Sequence, residues 1–396
     1  MAGVTRTLVL FLGALTAFSP LTIDMYLPAL PTMADTFGVT TVDVQATVSS
    51  YLVGLALGQL LYGPLSDATG RKFPLYIGII LYIVASLGCV LAPNVDAMIV
   101  LRFFQALGGC VGMIIARAIV RDFVTGQEAA RLLSTMMLVM GVAPILAPVL
   151  GSYILAVADW RAIFLLLSGF GAACLAVTYF YLPETLPPAR RRPGGVGIAL
   201  RTYGHLLRNR RLMGFVLSNG FVFANLFVYI TGSPQLFIGI FGLSPVAYAW
   251  LFGSNAAGMI VVSQINRALL RRWSLYQILA GALAFNLFAC LAMFAVAEVA
   301  ANVWTLWAGL LIAQSSLGMI SPNSAAAALS GDPSHAGSAS SLTGTAPYLL
   351  GAAAGALLSV LPHDSPSSMT TVMALNALIA FGCHRVLVGR AGAAAA

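Results

Sequence analysis

Charge is what this sequence has least of. Of its 396 residues only 8% are Asp, Glu, Lys or Arg, against 60% hydrophobic, and the mean hydropathy is +0.93. A chain so poor in charge cannot clothe a soluble surface, which excludes an ordinary soluble domain and leaves a polytopic membrane protein. Cysteine is sparse as well. Cys89, Cys110, Cys174, Cys290 and Cys383 are scattered through apolar runs with no CxxC spacing, which excludes a disulfide framework and a cysteine metal site. The sequence contains no GxxxxGK[ST], so ATP-driven pumping within the chain is disfavoured, and no HExxH, GxSxG or His/Cys cluster, which speaks against an enzyme and against a bound metal. The four histidines, His205, His335, His363 and His384, fall in connectors or near helix ends.

The apolar runs are abundant. Windows of about 20 residues place twelve transmembrane helices at 7–30, 43–65, 73–92, 97–120, 130–155, 161–182, 212–233, 246–269, 274–297, 302–327, 337–361 and 369–388. The first run is too long for a signal peptide and lacks a small-residue cleavage pattern, so it reads as a retained helix. The longest polar connector, 183–211, is rich in arginine and divides the chain into a six-helix half at 1–182 and a second at 212–396.

The net charge of +8 does not indicate nucleic acid, because the basic residues lie in short connectors. Arg6, Arg71, Lys72, Arg121, Arg131, the 190–211 arginines, Arg267, Arg271, Arg272, Arg385 and Arg390 all alternate onto one side. By the positive-inside rule that side is the cytoplasm, with both termini on it. The other side receives Asp35, Asp43, Asp96, Asp159, Glu298 and Asp364, with Arg161 alone of the basic residues. Residues 71–76, RKFPLY, recur at 271–276 as RRWSLY, both after the second helix of a half, as a parallel duplication requires. The copies are imperfect, since Asp67 aligns with Arg267. The arginine-rich connector reads as a topology determinant, or as a contact for anionic lipid head groups.

Two ionisable groups fall inside spans and demand an explanation, because such groups are costly in lipid. Asp24 lies in the first span, within SPLTIDMYLPALP at 19–31, and Arg102 lies in the fourth. At about 1.5 Å per residue, Arg102 sits roughly 9 Å below the outer surface and Asp24 roughly 27 Å above the inner one. Matching depth predicts a shared cavity, with Gln105 one turn from Arg102 on the same face. Interfacial water beyond a helix ending at Pro20 is the other reading of Asp24, and a structural pairing with a backbone carbonyl or a distant acid is the other reading of Arg102. Tyr26, Tyr51, Phe103 and Phe104 either line a pocket or face lipid. Asn219, Asn225, Asn255, Gln264, Gln314 and Asn323 are neutral polar groups inside later spans, suited to bonding helices together or to touching substrate.

Several stretches together carry a resemblance. Residues 63–75, GPLSDATGRKFPL, resemble the GxLxDxxGRK connector of the major facilitator superfamily, with Gly70 suited to a helix C-terminus and Asp67 four residues before Arg71. Arg102 and Gln105 in LRFFQALGG resemble that superfamily's RxxQG motif, with Ala106 where glycine is usual. Gly141, Pro144, Pro148 and Gly151 are similar to its antiporter motif, and the two prolines predict a bend in the fifth helix. The opening DMYLPALP at 24–31, together with Ser321-Pro322-Asn323 and 335–340, is similar to the Bcr/CflA drug-resistance subfamily of drug:proton antiporters. The resemblance implies a two-half all-helical bundle working by alternating access. It also implies a monomer in the bacterial inner membrane that exports small drugs or antibiotics and uses protons as coupling ion, with no cofactor. Phenicol, bicyclomycin-like and sulfonamide compounds are the classes it suggests. Asp24 would carry the proton, Arg102 would tune it, and Asp67 with Arg71 would close the cytoplasmic side. An exporter of one metabolite, such as a sugar or amino acid, would share the fold. A non-transporting receptor would not need Asp24 and Arg102.

Overall fold

The computed structural model describes residues 6–123, 126–191, 203–329, 336–362 and 365–389. Arg192, Arg201, His335, His363, Asp364 and Arg390 lie outside the described residues, and the side chains of Arg6, Arg121, Arg131 and Arg190 do as well. The described elements are helical throughout. They are α1 (Arg6–Asp24), a 3-10 turn at Leu27–Ala29, α2 (Leu30–Phe37), α3 (Thr41–Thr69), α4 (Lys72–Leu91), α5 (Val95–Phe123), α6 (Gly126–Val157) and α7 (Arg161–Phe180). There follow α8 (Arg210–Pro234), α9 (Pro245–Leu269), α10 (Leu275–Val299), α11 (Val303–Ser315), α12 (Leu317–Leu329), α13 (Ala336–Ser359) and α14 (Ser367–Cys383).

Eleven spans among the described residues are long and apolar enough to cross a membrane, and Val142–Val157 of α6 supplies a shorter one, in agreement with the twelve expected. In this count α1 with α2 form one span, and α11 with α12 another. Helices dominate because lipid offers no partner for backbone groups, so each span must satisfy its own. Prolines stand inside α1, α3, α6, α8, α12 and α13, which membrane helices tolerate because neighbouring helices, Ser and Thr side chains or local 3-10 and π adjustments can meet the freed backbone groups.

The chain divides into two compact units, Met1–Val39 with Ser50–Ala199 and Thr40–Ser49 with Leu200–Ala396. In the first, α4 packs on α5 and α7, and α1 packs on α5 and α6. Small residues permit these approaches. A Cβ at Gly54 would strike the Phe103 carbonyl oxygen, and one at Gly112 the Leu15 carbonyl oxygen. In the second unit α8 is central, packed against α12, α13 and α14, and its core includes Phe215, Val222, Leu279, Leu283 and Ile320.

The first span departs from the expected continuous helix over 7–30. It stops at Asp24 and resumes at Leu30 after the 3-10 turn. Pro28 explains the stop, since it lacks the N–H that the Asp24 carbonyl would accept and its ring crowds that carbonyl. The tenth span is interrupted too, at Ser316 between α11 and α12.

Candidate functional site

Asp24 is therefore the last residue of a broken helix. It is 4% exposed, and among the described residues no hydrogen bond or ion pair engages its carboxylate. Around it the chain turns through Met25 and Tyr26, with the Ala29 N–H donating to the Tyr26 carbonyl at 2.8 Å. The α6 backbone lies directly against this break, because Gly151 has no side chain: a Cβ there would collide with the Met25 carbonyl oxygen. Gly141, Pro144 and Pro148 stand on the same helix, with Pro148 buried. α6 runs as a single element from Gly126 to Val157 through both prolines, each of which leaves one preceding carbonyl without its helical donor. What joins the antiporter-like stretch to Asp24 is thus a close backbone approach at Gly151.

Arg102, on α5, is fully buried and gathers the next set of residues. Both terminal nitrogens donate to the Thr22 carbonyl at 3.3 Å, and Nη1 also donates to Gln105 Oε1 at 2.6 Å. Thr22 lies in the last turn of α1, where carbonyls lose their intrahelical donors, so the guanidinium replaces what the break removed. The guanidinium carbon stands 4.2 Å from the Tyr26 ring centre, 4.3 Å from that of Tyr51 and 5.8 Å from that of Phe164, distances at which aromatic rings stabilise a cation.

The polar chain continues. Gln105 Nε2 donates to Ser86 Oγ at 2.8 Å, and Ser86 Oγ donates to the Tyr82 carbonyl at 2.7 Å. Tyr82 and Thr22 share a hydroxyl hydrogen bond of 2.7 Å. The path therefore leaves Thr22, passes through α5 and α4, and returns to Thr22.

The structure brings Tyr26, Tyr51 and Gln105 together around Arg102. It holds Arg102 on neutral acceptors, and the described residues contain no Asp24–Arg102 ion pair. The link between them is shorter than a cavity: Arg102 grips a carbonyl two residues before Asp24. Phe104 is 40% exposed and stacks edge-on to Phe103 at 5.3 Å. Thr22, Tyr82 and Ser86 are absent from the sequence-derived set. Tyr82 and Ser86 are four residues apart on α4, a spacing that put both on one face but did not say which helix that face meets.

A second cluster forms at the turn between α3 and α4. Gly63 has open space around it, and Gly70 ends α3 with φ +97°, a left-handed conformation suited to glycine, its N–H reaching the Ser66 carbonyl at 3.1 Å. Arg71 is buried. Its Nη1 donates to Asp67 at 2.7 Å and to Ser66 Oγ at 2.8 Å, so the expected i,i+4 pair forms. Its remaining donors make a fork to Asp122 at the end of α5, Nε to Oδ2 at 2.9 Å and Nη2 to Oδ1 at 3.2 Å, and Thr185 Oγ1 donates to the same carboxylate at 2.8 Å. Burial opposes the guanidinium's charge, but the hydrogen bonds and charges of Asp122 and Asp67 outweigh it and raise its pKa above the usual value. Lys72 lies over the Tyr76 ring at 5.6 Å. Asp122 was missed by the sequence reading, although it lies in the last turn of α5, one residue before Phe123.

In the second unit the buried polar groups are amides and hydroxyls, and the amides join helices. Asn225 Nδ2 donates to the Met373 carbonyl at 3.0 Å, Asn376 Nδ2 donates to Asn225 Oδ1 at 2.9 Å, and Gln314 Nε2 donates to the Asn225 carbonyl at 3.0 Å. Asn286 reaches the Ala313 carbonyl and Ser316 Oγ at 3.1 and 2.9 Å, bracing the interruption between α11 and α12. Asn323 donates to Asn266 at 2.8 Å, and Asn255 donates to the Tyr229 hydroxyl at 2.9 Å. These are bonds between helices, as expected. Among the described residues the exposed Gln264 side chain bonds only to its neighbour Ser263, and Asn219 Oδ1 has no partner.

Comparison with known proteins matches this arrangement to a family. Residues 12–356 match the family model of the Major Facilitator Superfamily. An uncharacterised MFS-type transporter, YdgK of Bacillus subtilis, is 34% identical over 393 residues, covering 97% of this chain and 96% of the relative. A bicyclomycin resistance protein homolog of Haemophilus influenzae is 29% identical, with 98% and 97% covered, and a chloramphenicol resistance protein of Pseudomonas aeruginosa is 30% identical, with 79% and 71% covered. Among solved structures, a D-xylose-proton symporter superposes with a TM-score of 0.73 at 14% identity, over 94% of this chain and 96% of that one, which bears on the fold alone. The chain belongs to the major facilitator superfamily and is a multi-pass membrane transporter, not an enzyme.

Proposed function

We propose that this transporter is a proton-coupled multidrug exporter, a drug:proton antiporter of the bacterial inner membrane with both termini in the cytoplasm, working by alternating access without a cofactor. The observation that carries the reading is Asp24, buried and without any described partner at the break of the first span. A buried carboxylate left ionised and unpaired costs several kcal/mol. Either a proton or a donor-bearing or cationic substrate removes that cost, and one carboxylate cannot serve both at once. Competition for one acid is enough to exchange a proton for a drug.

Arg102 adds the structural half of the coupling. Its hold on the Thr22 carbonyl and the charge on Asp24 act on the same last turn of α1, so a change at one is felt at the other. Asp67 and Arg71 close the cytoplasmic side. Relatives named for bicyclomycin and chloramphenicol resistance support small antibiotics as cargo. The test is Asp24→Asn in proteoliposomes. Transport of chloramphenicol driven by a pH gradient is expected to fall at least tenfold while drug-gradient exchange persists, and undiminished pH-driven transport would remove Asp24 from the coupling role.

A further inference from the structure

The connector after α7 begins at the cytoplasmic turn and is bound to it. Glu184 Oε1 accepts the Arg71 N–H at 2.9 Å, and Glu184 Oε2 accepts the Lys72 N–H at 3.2 Å, so one carboxylate caps the first exposed amides of α4. Oε1 also accepts the Leu186 N–H at 2.9 Å, which folds the connector back on itself. Leu182 and Leu186 are buried on either side, pinning the segment. The fit against the turn is tight. A Cβ at Gly70 would come within 2.5 Å of Glu184 Oε2 and 2.9 Å of Arg191 Nη2. The neighbouring Thr185 meanwhile donates to Asp122, the carboxylate that receives the Arg71 fork. Burial pushes the Glu184 carboxyl up, but the backbone N–H groups of Arg71, Leu186 and Lys72 and the charge of Arg191 outweigh it, leaving its pKa below the ordinary glutamate value. It is therefore ionised at neutral pH.

We propose that the start of the connector is a working part of the cytoplasmic gate, with Glu184 as the positioning residue that holds the Gly70–Lys72 turn so that Arg71 is aimed at Asp67 and Asp122. Arg71 alone cannot be aimed by its own side chain, because its direction depends on the backbone of residues 70–72. That backbone is fixed by the carboxylate of Glu184, more than a hundred residues further along. The segment that joins the two halves thereby reports directly on the gate. This rests on the transport reading above, and the experiment separates the two.

The experiment compares the full-length native protein with Glu184→Ala and Glu184→Gln. Hydrogen exchange of the peptide covering residues 66–76 measures the clamp without any substrate. The amides of Arg71 and Lys72 are expected to exchange at least tenfold faster in Glu184→Ala and to be partly protected in Glu184→Gln, whose amide oxygen still accepts. Drug-gradient exchange of chloramphenicol in proteoliposomes measures its consequence. Turnover is expected to fall about tenfold in Glu184→Ala with KM within twofold, and Glu184→Gln is expected to recover at least a third of it. Unchanged exchange of the two amides, or turnover within twofold of native, would overturn the inference, as would a Glu184→Gln variant no better than Glu184→Ala in both assays. If the native protein moves no chloramphenicol, the cargo reading fails, and the amide exchange alone decides the clamp.

Discussion

In the first unit the buried polar centre holds ionisable groups, Asp24 and Arg102, whereas in the second it is built from Asn225, Asn376, Gln314 and Asn286, all neutral. The two centres are stabilised by different means. Arg102 relies on two carbonyl contacts, one glutamine and three aromatic rings, with its Nε left unbonded, while Asn225 engages Met373, Asn376 and Gln314 through ordinary amide bonds. The amide centre has no group that gains or loses a proton in the working range of pH, so it joins helices without responding to protons. Under the proposed function, charge-dependent chemistry belongs to the first unit and cohesion to the second.

The sharpest way to break this contrast is Arg102→Leu. It strands the Thr22 carbonyl and Gln105 Oε1, each a buried acceptor costing about 1–3 kcal/mol when left unmet, and it removes the cation from the Tyr26 and Tyr51 rings. Chloramphenicol transport is expected to be lost and the thermal midpoint of the purified protein to fall; near-native turnover would show that the charge is dispensable. A smaller effect is expected of Asn225→Ala in the second unit. It removes three side-chain bonds, to the Met373 carbonyl, to Asn376 and the longer one to Cys290 Sγ, and at about 0.6 kcal/mol each in a membrane the stability loss is about 2 kcal/mol. Transport should slow at most a few-fold, with its dependence on pH unmoved. A displaced pH profile would mean that the amide centre takes part in coupling after all. The smallest effect is expected of Thr22→Val, which deletes the hydroxyl's bonds to Tyr82 and to the Phe18 carbonyl yet keeps the carbonyl that Arg102 grips. Stability should drop by about 1 kcal/mol and transport stay within twofold, so a loss comparable to that of Arg102→Leu would place the hydroxyl bonds, rather than the carbonyl, at the centre of the unit.

Much of the fold was legible because the physics of lipid is blunt. Apolar runs of span length, separated by basic connectors, gave helix positions that the structure moves by only a few residues, except where Pro28 splits the first span and Ser316 the tenth. The Pro28 break was readable in principle, since the missing N–H falls four residues after Asp24, but the apolar run continued across it and outweighed the signal. Asp24, Arg102, Gln105 and Arg71 stood out as polar residues in the wrong solvent or in a dense motif. Thr22, Tyr82, Ser86, Asp122 and Glu184 did not, because hydroxyls are common in membrane helices and acids are unremarkable at their ends.

The sequence by itself determined that the chain crosses a membrane repeatedly and which ionisable residues are stranded inside it. These follow from composition and from backbone chemistry that each residue carries alone. Only the tertiary structure decided that Arg102 is held by a carbonyl and aromatic rings, that Gly151 seats on the break beside Asp24, and that Glu184 caps the turn bearing Arg71. Each of these joins residues separated by tens to more than a hundred positions, and a side chain's periodicity names its face without naming the helix that face will meet.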